Sequence, residues 1–63
     1  MNYAAKLLER IEQAKSAAYC EILEGQIENS HDMLTSKDFD MLLNKVRNKM
    51  WQLRAWENQP AQA

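Results

Sequence analysis

The most suggestive polar cluster in the chain is Ser36, Asp38 and Asp40, within the string LTSKDFDMLLNK. Read on their own, all three are start-of-helix residues. Hydroxyls cap free backbone N–H groups, and carboxylates sit well at the positive end of the helix dipole. Cys20 is the single thiol, so no disulfide can form within the chain. On a continuous first helix it falls opposite the apolar stripe, with no His or other base placed beside it, and it reads as a small incidental residue. His31 falls in a polar turn and reads as a solvated side chain, with a pH-sensing role as the alternative. One His and one Cys with no ligand spacing give no metal site, and nothing in the chain points to a cofactor.

The remaining candidates are contact residues. Met50 and Leu53 fall on the apolar stripe of the second helix, Trp56 at its edge, and Trp51 and Met41 elsewhere. Trp buries much area and Met adapts its shape, so both recur as interface anchors. Lys45, Arg47, Lys49 and Arg54 spread around the same helix instead of clustering. They read as a solvated surface paired with an acidic neighbour, and as a weaker alternative Trp51 and Trp56 could stack on nucleic-acid bases.

Two helices must position these groups. The clearer one runs from about 36 to 57. Phe39, Leu42, Leu43, Val46, Met50 and Leu53 repeat at spacings of three and four, one stripe of a 3.6-residue helix. Its start is marked by Thr35 as N-cap and by Asp38, which can reach back to the cap. Leu34 and Phe39 stand at the spacing of a hydrophobic staple. The other helix is expected over about 3 to 28, with Asn2 as N-cap and a stripe of Tyr3, Leu7, Ile11, Ala14, Ala18 and Ile22. Gly25 is read as a tolerated interior glycine. Residues 29–35 (NSHDMLT) form the turn between the helices. Residues 58–63 contain Pro60 and no apolar anchor, and read as a flexible tail.

The string SKDFDMLLNK resembles the motif of the small sporulation-control aspartyl-phosphate phosphatases. That family carries Ser-Gln-x-Leu-Asp at the start of the second helix of a hairpin. Ser36 and Asp40 match its Ser and Asp. Lys37 stands where the family has Gln, and Phe39 where it has Leu. Leu43, Asn44 and Lys45 fit the continuation, and Ile11 and Glu12 match an upstream Ile-Glu. The resemblance implies that Asp40 helps to orient the water that hydrolyses the phospho-aspartate of a response regulator.

Composition bounds the rest. Sixty-three residues make one small domain, of a size that usually needs a staple or a partner. The net charge of −1 leaves no overall electrostatic footprint for nucleic acid. Residues 3–28 carry a net −2 and residues 36–57 a net +2, which predicts that the two segments lie side by side. No stretch approaches the ~18 apolar residues of a membrane span. The lone cysteine and the lack of a signal-like N-terminus point to a reducing, cytoplasmic compartment. The expectation is therefore an all-α protein: an antiparallel two-helix hairpin over 1–57. It packs as a homodimeric four-helix bundle with coiled-coil character, or against another protein. Its expected role is that of a small non-enzymatic regulator or adaptor. Aspartyl-phosphate phosphatase is the alternative and nucleic-acid binding the second alternative.

Overall fold

The computed structural model describes residues 3–57, and these are helical throughout apart from short connections. Helix α1 spans Tyr3–Gln13, α2 spans Ala17–Asn29, a single 3-10 turn spans His31–Met33, and α3 spans Ser36–Glu57. The expectation of an all-helical protein holds. The Asn2 cap and the 58–63 tail lie outside the described residues.

The first helix is not continuous, and this corrects the two-helix reading. The chain breaks at residues 14–16, and α2 folds back along α1. The Tyr3 hydroxyl, at the start of α1, is 2.8 Å from Ser30 Oγ, just past the end of α2. Helix α2 then runs antiparallel to α3, as the contacts Glu24–Arg47 and Glu21–Arg54 show. The order is up, down, up.

No glycine or proline makes the break. It forms because the backbone groups it frees are satisfied from several sides, and an orphaned buried donor or acceptor would cost ~1–3 kcal/mol. Ser16 has extended dihedrals and its Oγ accepts from the Tyr19 N–H at 3.2 Å, an ordinary N-cap. The Ala17 N–H donates to Glu57 Oε2 at 3.0 Å, so a carboxylate from the far end of α3 sits at the positive end of α2. Lys49 Nζ donates to the Glu12 carbonyl at 3.3 Å, placing an ammonium at the negative end of α1. The Ala14 N–H closes the last turn onto the Ile11 carbonyl at 3.1 Å. Helix α3 thus braces both helix ends at the corner.

The break also resets the phase of the apolar face. A straight helix would carry Ala18 and Ile22 on the core side and Cys20 away from it. Instead Ala17, Cys20, Leu23 and Ile27 are buried, and Ile22 is 58% exposed. Cys20 is fully buried, contrary to its expected place opposite the stripe. The small Ala14 and Ala17, both buried, allow the close approach at the corner that small residues permit.

Leu7, Ile11, Leu23, Ile27, Leu42 and Val46 form the centre of the core, contributed equally by the three helices. At ~25 cal/mol per Å² of apolar surface, burial of one such side chain favours folding by about 1.5–3 kcal/mol. The α3 stripe that a lone hairpin would leave bare is covered here by α1. The argument for a dimer from that bare stripe therefore falls away.

The start of α3 follows its sequence signal. The Asp38 N–H donates to Thr35 Oγ1 at 3.1 Å, and Leu34 and Phe39 are both half-buried against the core. The carboxylate of Asp38 makes no return bond to the cap. Gly25 lies inside α2 without positive φ, as expected of a tolerated helical glycine.

Candidate functional site

The charge asymmetry of the sequence is realised as cross-helix pairing. Arg47 Nε donates to Glu24 Oε2 and Arg54 Nη2 to Glu21 Oε1, each at 2.7 Å. The Arg47 guanidinium is held above its ordinary value chiefly by its hydrogen bond to Glu24. These exposed pairs fix the register of α2 on α3 more than they stabilise it. They also tie two of the four candidate nucleic-acid cations to glutamates, and Lys49 is spent on the Glu12 carbonyl. Lys45 is left exposed on α3.

The phosphatase-like residues sit at the beginning of α3. Ser36 is its first residue, and Ser36 and Asp40 are both exposed. Neither lines the groove between the end of α1 and α3. Cys20 is shut away from solvent, and burial pushes its thiol above the ordinary range, further from a reactive thiolate. His31 stacks edge-on against Phe39, with ring centroids 4.7 Å apart, so it covers the staple at the head of α3. No group of three or more His, Cys, Asp or Glu among the described residues is placed to hold a metal.

The contact residues divide sharply. Met50 is buried in the core and is not available to a partner, which corrects its place on the candidate surface. Met41 and Leu53 are half-buried against the core. Trp51 is 78% exposed and Trp56 71% exposed. Exposure of Trp51 follows from its position about 120° around the helix from Phe39 at 100° per residue. Trp56 was expected to pack at the edge of the stripe. It stands clear because α1 ends beside Lys49, nearly two turns earlier, and offers nothing for the indole to lie on.

An open groove of about 640 Å³ runs between the end of α1 and the outer side of α3. Ile11 and Glu12 line it from α1, and Met41, Lys45, Lys49 and the amides Asn44, Asn48 and Gln52 from α3. These amides carry no charge, and with Trp51 they make one continuous outward face of α3. Sequence reasoning singled out Met41 and Trp51 as contact residues, named Asn44 only for its place in the phosphatase-like motif, and passed over Asn48. The signal for both amides was their helical spacing relative to Met41 and Trp51.

No protein-family model, curated protein sequence or solved structure matches the chain. No described helix is long and apolar enough to cross a membrane.

Proposed function

We propose that this protein is a small regulatory or adaptor module of the cytoplasm that acts by protein–protein contact, with the outward face of α3 as its working surface. The observation that carries this reading is the exposure of Trp51 on that face, in a molecule that closes its core without it. Leu7, Cys20, Ile27, Leu42 and Val46 are fully buried within one chain, so Trp51 and Trp56 are not needed to complete the fold. An indole left in water forgoes the burial that makes Trp a favoured interface anchor. Exposed apolar surface marks a contact site where it is contiguous, and Trp51 shares its face of α3 with Met41 and Ala55.

The partner is another protein or a second copy of this one, and no substrate turnover is involved. Pairing of Arg47 and Arg54 with glutamates supports a protein partner over a nucleic acid, because those cations are already neutralised.

The test uses immobilised parent, Trp51→Ala and Trp56→Ala proteins in a lysate of the native host. Captured proteins are identified by mass spectrometry, and circular dichroism checks that each variant keeps its helices. The reading expects a protein held by the parent and lost, or weakened at least about tenfold, in Trp51→Ala, a change of ~1.4 kcal/mol. Both variants should remain as helical as the parent. Equal capture by parent and both variants would exclude this surface.

A further inference from the structure

The outward face of α3 carries a second heptad seam, separate from the core stripe. Met41, Asn44, Asn48, Trp51 and Ala55 are spaced three, four, three and four residues apart, the a/d spacing of a two-stranded coiled coil. Met41 is half-buried and the other four are exposed. The seam has no charged residue over four turns, in a chain of which 27% is Asp, Glu, Lys or Arg. Charges resume immediately on both flanks: Asp40 and Arg47 on one side, Lys45 on the other.

We propose that a second copy of this chain docks here, α3 against α3, as a parallel two-fold pair along Met41–Ala55. The inference rests on the proposed protein-binding role of this face and names its occupant. Flanking charge selects both the partner and its direction. In a parallel pair each residue preceding an a position faces the partner's residue five further along. Asp40 then meets Lys45 of the other copy, and Arg47 meets Gln52, twice each by symmetry. Among the described residues Asp40 and Lys45 are exposed and make no ion pair with each other or with another side chain, which leaves them placed for this pairing.

An antiparallel pair in its matching register sets Lys45 near Lys45 and Arg47 near Arg47, and loses that complementarity. Asn48 falls at an a position, where a single buried Asn fixes register and a two-stranded state at some expense of stability. Asn44 adds a second amide layer, and Trp51 and Met41 supply the apolar area. Helices α1 and α2 cover the opposite side of α3, where Leu42, Val46 and Met50 are buried, and the end of α1 borders one edge of the seam, where Ile11 and Glu12 share a groove with Met41, Asn44 and Asn48. Seams with two amide layers bind weakly, so the pair forms in a concentration-dependent way.

Sedimentation equilibrium of the parent over a range of concentrations tests the pairing. The expected result is a monomer–dimer equilibrium. Trp51→Ala should weaken it at least tenfold with helical content unchanged. Asp40→Lys and Lys45→Asp should each weaken it, and the double variant should restore it. Orientation is read from Ala55→Cys. Parallel copies place the two residue-55 side chains in contact and give an oxidised dimer, with the parent, whose Cys20 is buried, as the control. Antiparallel copies on the same seam separate them by roughly 20 Å or more at ~1.5 Å per residue.

A parent that stays monomeric up to about 1 mM, the weak end of measurable binding, overturns the proposal. If a lysate protein is still captured through Trp51, the adaptor reading survives that result. A dimer indifferent to Trp51→Ala, or an Ala55→Cys variant that does not cross-link, also overturns it.

Discussion

Substituting two adjacent residues of α2 discriminates the folded-back chain from a straight first helix. A helix running unbroken from residue 3 to residue 28 puts Ile22 on the core face and turns Leu23 away. The break at 14–16 does the opposite, leaving Leu23 1% exposed and Ile22 58% exposed. Leu23→Ala removes a buried isobutyl group from the core cluster that also holds Leu7, Ile27, Leu42 and Val46. Its cost is the transfer free energy of the lost atoms plus the cavity left behind, together about 2–5 kcal/mol. Ile22→Ala removes largely solvated surface and exchanges a β-branched residue for the best helix former, so it should stay within about 0.5 kcal/mol of the parent. In a domain this small ~1 kcal/mol moves Tm by roughly 4–8 °C. Leu23→Ala should therefore lower Tm by at least about 8 °C, or leave the protein unfolded at room temperature, since a core of this size supplies only ~3–5 kcal/mol in all. Ile22→Ala should melt within a few degrees of the parent, by the ~0.5 kcal/mol limit above. Thermal and urea melts followed by circular dichroism provide both numbers. If Ile22→Ala costs as much as Leu23→Ala, the helix runs straight and the fold described here is wrong.

The corner itself is open to the same melts. Ser16→Ala removes the N-cap of α2 and should cost about 1 kcal/mol. Glu57→Gln keeps an acceptor for the Ala17 N–H but removes the charge at the helix end, so it should cost only a few tenths of a kcal/mol, an effect that high salt erases. Gly25→Ala should stabilise the protein by about 0.5–1 kcal/mol. The glycine is inside a helix, its φ is ordinary, and an added Cβ meets nothing within 4 Å. Cys20 should resist alkylation until the protein unfolds, with a pH profile displaced above that of an ordinary thiol. Because the folded state holds the thiol proton more tightly, its contribution to stability is intact below the unfolded thiol value. It is lost as pH rises past that value toward the raised one, and denaturation midpoints measured on both sides of pH 8.5 would show it. Phosphate release from phosphorylated response regulators of the host should not be accelerated by this protein. An acceleration that disappears in a folded Asp40→Ala variant would install the enzyme in place of the adaptor.

Much of α3 was written in its own residues. Thr35, Leu34 and Phe39 mark its start because capping and stapling involve groups within one turn, and local geometry decides them. The 3.6-residue repeat of Leu42, Val46 and Met50 named its buried face for the same reason. The opposite charges of the two halves foretold that they would meet, and Glu21, Glu24, Arg47 and Arg54 are where they do. The corner at 14–16 was not legible in that way. Lys15 and Ser16 are acceptable within a helix, and no glycine or proline forbids them one. Ser16 becomes a cap only because Glu57 and Lys49, more than 30 residues away in sequence, satisfy the backbone groups that the break exposes. That decision reached every residue after it. It turned Cys20 inward and Ile22 outward, covered the α3 stripe with α1, and left Trp56 beyond the end of its neighbour. Periodicity along a chain fixes which residues share a helix face only while the helix continues. Whether it continues is settled by tertiary contacts that compensate the broken hydrogen bonds.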